Sequence, residues 1–272
     1  MLTWDSVTKR GRRASDVGAT PPGSPARDLM LEAVIAHEQI DLLFQPIIDA
    51  NTGLIAAAEA LVRCAAARDA ESLFSRASSA ALDERLSRLV QRKALSCAAV
   101  WEGPLKDVRV SINLLPADIS RAGYEQWLLD EIDVLGIDPS RITLEITESA
   151  LLADHASVAV RLAKLREAGL EIAIDDFGTG YASLAYLTSL PFDMLKIDRG
   201  LVNEIVRREP DRIVVKALIS LARELGLKVV AEGVESAEQL ALLKDWGCNL
   251  YQGFWGSQPL THQDLARFVS AA

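Results

Sequence analysis

From Leu29 onward, apolar and polar positions alternate between two patterns. Short aliphatic or β-branched runs are separated by longer stretches with apolar residues at helical spacing. Eight runs read as strands: residues 41–49, 54–63, 108–114, 142–147, 171–177, 192–198, 228–234 and 249–255. Most are nearly continuous apolar segments, as expected of strands buried on both faces. Between them, residues 157–169, 211–226 and 237–247 read as amphipathic helices, each stopped by Gly. Eight strands interleaved with helices predict an α/β fold closed into a (β/α)8 TIM-like barrel. Only ANTG (residues 50–53) separates the first two strands, so that pair is predicted to be an antiparallel hairpin. An open doubly wound sheet is the alternative, but no Gly-rich phosphate loop follows the first strand.

Residues 1–27 do not share this pattern. KRGRR (residues 9–13) precedes GATPPGSP (residues 18–25), and the composition predicts a disordered basic arm or linker. The remainder, 28–272, is predicted to be one domain.

Composition narrows the function. The formal charge of −9 argues against a broad grip on a DNA or RNA duplex. An acidic protein that handles a phosphate compound needs cations as intermediaries. Cys64, Cys97 and Cys248 are scattered, as are His37, His155 and His262. Neither a disulfide framework nor a zinc cluster is expected, and reduced thiols suit a cytoplasmic protein. No run is long and apolar enough for a signal peptide or membrane span.

The polar residues inside the apolar runs carry the chemistry. Glu59, Asn113, Glu145, Asp175, Lys196, Asp198, Glu232 and Gln252 each lie in the C-terminal part of a run. In a barrel those positions converge on one mouth. Alternation places Asp175 inward with Ala173 and leaves Asp176 on the rim. Lys196 shares a parity with Asp198, and Glu59 with Leu61 and Arg63. One buried carboxylate is readily explained as a salt bridge. Glu59, Glu145, Asp175 and Glu232 at one mouth need cationic compensation. All-oxygen ligands favour Mg²⁺ or Mn²⁺ over zinc. Two such ions are a recurring solution for phosphodiester cleavage. Lys196, among carboxylates, is expected to stay charged and to orient water rather than act as a simple base.

The motifs resemble those of the EAL domain family of bacterial cyclic di-GMP phosphodiesterases. They are QP at Gln45–Pro46, EALVR from Glu59, SINL around Asn113, EITE from Glu145 to Glu148, DDFGTGYASL from Asp175, KID from Lys196, AEGVE ending at Glu235, and QGF at Gln252. The resemblance implies a barrel with an antiparallel first strand and hydrolysis of cyclic di-GMP to linear pGpG. It implies two Mg²⁺ or Mn²⁺ ions, with Ca²⁺ inhibitory. Glu59, Asn113, Glu145 and Asp175 would hold the first ion. Asp175, Asp176 and Glu232 would hold the second. Lys196 would position water, supported by Asp198, and Glu148 would anchor the segment after the fifth strand. Gln45, Leu61, Arg63, Asn113, Asp198 and Gln252 would meet substrate. The expected partners are a second copy of the chain and sensory or GGDEF-type domains. A catalytically inactive cyclic di-GMP receptor is the alternative, although such receptors usually lack one or more of these ligands. The sequence departs from the family pattern after Arg63, where an Ala/Ser-rich stretch (residues 64–86) is expected to alter the rim near the bases, and at Gly200-Leu201-Val202.

Overall fold

Eight strands close into a barrel in chain order: β1 (Asp41–Asp49), β2 (Ile55–Arg63), β3 (Arg109–Leu114), β4 (Ile142–Thr147), β5 (Glu171–Phe177), β6 (Met194–Ile197), β7 (Lys228–Ala231) and β8 (Leu250–Tyr251). The structure is a computed structural model and describes residues 27–147, 155–178 and 184–271. Residues 1–26 of the expected basic arm (1–27) and Glu148 lie outside the described residues.

β1 runs antiparallel to both neighbours, β2 and β8, and every other pairing is parallel. The hairpin that reverses β1 is built by Asp49. Its Oδ1 accepts from the backbone N–H groups of Asn51 at 2.9 Å and Thr52 at 2.7 Å. This side-chain-closed turn fixes the register that sets Gln45 opposite Glu59.

Eleven helices wrap the barrel among the described residues: α1 (Leu29–Ala36), α2 (Ala70–Ser79), α3 (Asp83–Ala99), α4 (Pro116–Ser120), α5 (Tyr124–Leu135), α6 (His155–Glu167), α7 (Leu184–Ser189), α8 (Arg199–Val202), α9 (Glu209–Glu224), α10 (Ala237–Asp245) and α11 (His262–Ala271). Outward-facing strand residues such as Ile112, Leu144, Ile174 and Leu195 form the main core with the helices. The Ala/Ser-rich stretch after β2 becomes α2. Asp69 caps it by accepting from Ser72 N, and Leu73 and Ala77 bury against α1 and α3. Arg76 of α2 pairs with Asp28 at 2.7 Å, which ties this satellite cluster together.

Several expected boundaries move. The helix expected from residue 157 begins at His155, and the one expected from residue 211 begins at Glu209. Pro210 fits that first turn because its missing N–H has no partner there anyway. The last three strands are shorter than the apolar runs imply. Two residues past β8 comes Gly253, where a Cβ would lie 2.2 Å from the Val234 carbonyl oxygen. Only Gly allows the two segments to pass so closely.

Candidate active site

Inside the barrel the side chains stack in layers. A small apolar layer of Ile47, Ala57, Ala173, Met194, Val230 and Leu250 plugs the interior. Two residues further toward the mouth, on the same parity, come Gln45, Glu59, Asp175, Lys196, Glu232 and Gln252. Asn113 and Glu145 complete this layer, two residues beyond buried Ser111 and Thr143. The alternation of extended chain thus turns one apolar ring into one polar ring. Glu232, Gln252 and Asp198 stand one residue past the ends of β7, β8 and β6, not within strands as expected. Glu232 and Gln252 stay aligned because their N–H groups donate to Ile197 O at 3.1 Å and Ala231 O at 2.9 Å.

Lys196 lies at the centre of the polar ring. Its Nζ is 2.7 Å from Glu232 Oε1, 2.8 Å from Glu145 Oε2, 2.9 Å from Asp175 Oδ1 and 3.7 Å from Glu59 Oε2. Lys196 and Glu145 are each 1 % exposed. Burial is the largest single influence on the ammonium and acts to lower its pKa. The carboxylates of Asp175, Glu145, Glu232 and Glu59 together outweigh it and hold the pKa well above the ordinary lysine value. Burial, then the Glu59 charge, push Glu145 well above the usual carboxylate range. Burial, with Asp175 and Glu59, pushes Glu232 up to about 8 despite Lys196. One ammonium among four carboxylates leaves the site short of positive charge.

Asp175 and Asp176 are brought to the same site by a local irregularity. Strict alternation would send neighbouring side chains to opposite faces. Asp176 instead takes φ 55°, and the β5–β6 register shifts between Ile174 and Phe177. Carboxylate oxygens of Asp175, Asp176 and Glu232 come within 4.8 Å of one another. Burial, then Asp175, raise the Asp176 pKa. Asp is among the few non-Gly residues that tolerate positive φ.

Amides complete the ring. Asn113 Nδ2 donates to Glu59 Oε1 at 3.0 Å, and Gln252 Nε2 donates to Glu59 Oε2 at 2.9 Å and to Gln45 Oε1 at 3.1 Å. Among the described residues, Glu145 Oε1 and Gln252 Oε1 are buried without a hydrogen-bond partner. Asp175 Oδ1 lies near Lys196 but without hydrogen-bond geometry. The donor set is carboxylate and amide oxygen, the chemistry that suits a hard divalent cation. Asp198 Oδ1 accepts from Gly200 N at 2.8 Å and caps α8.

Two cavities flank Leu61 and Arg63, which line both. The larger, about 550 Å³, reaches between β2, α2 and α3 and is also lined by Phe74, Asn113 and Asp176. The smaller, about 380 Å³, is lined by Gln45, Glu59, Glu232 and Gln252. It also brings in Arg199, Glu235, Phe254 and Pro259, none of which was singled out from the sequence as a site residue. Glu235 and Phe254 belonged to motifs already noted. Arg199 follows the KID motif directly but was given no role, because an Arg just after a strand reads as a solvated charge.

The sequence model of the EAL domain matches residues 28–259. The chain belongs to the EAL domain family. It is 34 % identical over 246 residues to the cyclic di-GMP phosphodiesterase NbdA of Pseudomonas aeruginosa, covering 89 % of this chain and 31 % of that protein. Among solved structures, it matches the PaMucR phosphodiesterase in complex with c-di-GMP at TM-score 0.81 and 34 % identity, covering 86 % of this chain and 97 % of that one. It also matches the Klebsiella pneumoniae BlrP1 manganese and cyclic di-GMP complex at TM-score 0.75 and 30 % identity, covering 82 % of this chain and 56 % of that one. The EAL chain spans 30 %, 31 % and 40 % of the length of the first three curated relatives it matches. No described helix of this EAL chain is long and apolar enough to cross a membrane.

Proposed function

We propose that this EAL chain hydrolyses cyclic di-GMP to linear pGpG with the help of two Mg²⁺ or Mn²⁺ ions. The observation that carries the reading is the ring of oxygen donors around one ammonium: Glu59, Asn113, Glu145, Asp175, Asp176 and Glu232, with buried oxygens left unsatisfied. Glu59, Asn113, Glu145 and Asp175 would hold one ion, and Asp175, Asp176 and Glu232 the other. Such ions, when bound, supply a nucleophilic water at neutral pH and charge neutralisation on the phosphate. Lys196, charged at all working pH values, orients that water and meets charge developing on the phosphate. Asp198 steadies the turn that follows Lys196.

Gln45, Leu61, Arg63, Asn113 and Gln252 are assigned to the substrate. Two cavities either side of Arg63 suit a ligand with two bases joined through phosphates. Phe74 in one and Phe254 in the other offer aromatic faces to those bases. Glu148 is proposed to anchor the segment that follows Asp176. A second copy of the chain and sensory or GGDEF-type domains are the proposed partners, in a cytoplasmic setting.

The test pairs two measurements on the purified protein. Chromatography should show pGpG accumulating from cyclic di-GMP in Mn²⁺ or Mg²⁺, and calorimetry should show binding in Ca²⁺. Binding without turnover would make the protein a receptor, and neither would reduce it to a scaffold.

A further inference from the structure

Behind Asn113, on the outer side of the barrel wall, lies a buried polar relay that the proposed chemistry does not use. Gln91 of α3 is 2 % exposed, and Tyr124 at the start of α5 is fully buried. Tyr124 OH donates to Gln91 Oε1 at 2.9 Å. Gln91 Nε2 then donates to the backbone carbonyl of Asn113 at 3.1 Å, with a longer contact to Asp118 Oδ2 at 3.4 Å. Asp118 Oδ2 also accepts from Ser87 Oγ at 2.5 Å and from Leu115 N at 3.3 Å. Arg121 pairs with its other oxygen at 3.1 Å. The end of β3 is therefore gripped from behind at both residue 113 and residue 115. In front, the Asn113 amide donates to Glu59 at 3.0 Å.

A glutamine in the interior is costly unless its amide is satisfied, and an apolar residue would fill the same volume without that demand. Here both ends of the amide are engaged: the Asn113 carbonyl can only accept, so it takes the Nε2 end and leaves Oε1 to the Tyr124 hydroxyl. The relay thus holds from behind the backbone of Asn113, whose side-chain amide is one of two that donate to Glu59. We infer that Gln91, braced by Tyr124, is a positioning residue for Asn113 and through it for Glu59. Its effect is on the metal-holding oxygens, which it does not touch. The inference uses the phosphodiesterase reading only for its turnover readout, since metal affinity tests it separately.

The experiment compares Gln91→Met, which keeps volume and removes all three hydrogen bonds of the amide, with Tyr124→Phe, which removes only the brace. A buried control on the same helix as Tyr124 is Ile132→Val. Mn²⁺ affinity is read by calorimetry, and kcat and KM are read separately with cyclic di-GMP. Gln91→Met should weaken Mn²⁺ and lower kcat/KM by about tenfold, within the range seen when groups behind metal ligands are lost. Tyr124→Phe should shift both in the same direction by less. Ile132→Val should lower Tm and leave Mn²⁺ affinity unchanged. Mn²⁺ affinity within twofold of wild type in both relay variants would overturn the assignment. So would an equal loss of affinity in the control, which would make the effect one of stability alone. If Gln91→Met does not fold, Tyr124→Phe against the control decides. A wild type that binds Mn²⁺ but releases no pGpG would overturn the phosphodiesterase reading and leave the affinity comparison standing.

Discussion

Lys196 and Glu145 face each other across the barrel interior with 2.8 Å between Nζ and Oε2, and each residue is only 1 % exposed. A buried pair of this kind is costly unless its surroundings compensate it. Here three further carboxylates stand within 3.7 Å of the same ammonium. Lys196 therefore offsets only part of the negative charge around it, and protons or further cations meet the rest. Lys196→Met keeps the length of the side chain and removes the charge. It should leave Mn²⁺ binding intact or tighter and reduce turnover by at least about 100-fold, the scale seen when a preorganised donor to a developing charge is removed. Calorimetry with Mn²⁺ beside a steady-state assay checks both halves. Turnover near the wild-type rate would remove Lys196 from the chemistry.

The left-handed backbone at Asp176 makes a separable prediction. Asn tolerates positive φ at least as well as Asp, whereas a β-branched residue does not. Asp176→Asn should keep the Tm and weaken metal binding. Asp176→Val should do both kinds of damage, with a stability loss of about 1–2 kcal/mol from the backbone. Thermal melts and Mn²⁺ titrations on the two variants separate these effects. Equal melting temperatures would mean that the φ of 55° is unimportant to folding.

Glu232 connects the site to pH. Its folded pKa is pushed up to about 8 from an ordinary 4.5 by burial and the neighbouring carboxylates. Between those values the folded, metal-free chain holds a proton that the unfolded chain has released. Its contribution to stability is complete below about pH 4.5 and is lost as pH rises through about 8. A divalent ion must displace the same proton, so Mn²⁺ affinity should rise across this window. The increase in Tm produced by Mn²⁺ over a chelated sample should be larger at pH 8 than at pH 6. An increment that shrinks with pH would contradict this assignment of the proton.

Gly253 offers a test of how the fold presents Gln252. An added methyl would meet Val234 O at 2.2 Å and Val234 N at 2.3 Å. Both are backbone atoms and cannot swing away. Gly253→Ala should cost about 1–3 kcal/mol by overpacking. It should also raise KM for cyclic di-GMP more than it lowers kcat, because Gln252 is assigned to the substrate. A melt and a Michaelis curve suffice, and an unchanged KM would detach Gln252 from substrate binding.

Much of this site was legible because strands have a period of two. Glu145 and Asn113 sit among outward Ile and Leu, so their inward direction follows from spacing alone. What was not legible depended on breaks in that period. Alternation left Asp176 on the rim and only the resemblance grouped it with Asp175 and Glu232; the bulge that brings the three together leaves no mark in an apolar run. Glu232 and Gln252 were expected within strands, yet they stand just beyond them. Backbone hydrogen bonds from neighbouring strands, invisible in sequence, keep them aligned. Gln91 was hidden for another reason. A polar residue in an amphipathic helix reads as solvent-facing, and only packing shows it pointing at Asn113.

Hydrolysis is the central claim, and its most direct test follows the oxygen. Cyclic di-GMP is incubated with the protein and Mn²⁺ in water enriched in ¹⁸O, and the product is weighed by mass spectrometry. The account predicts pGpG formed over many turnovers, each molecule carrying one ¹⁸O in its terminal phosphate. Cyclic di-GMP recovered unchanged, with binding intact, would contradict it.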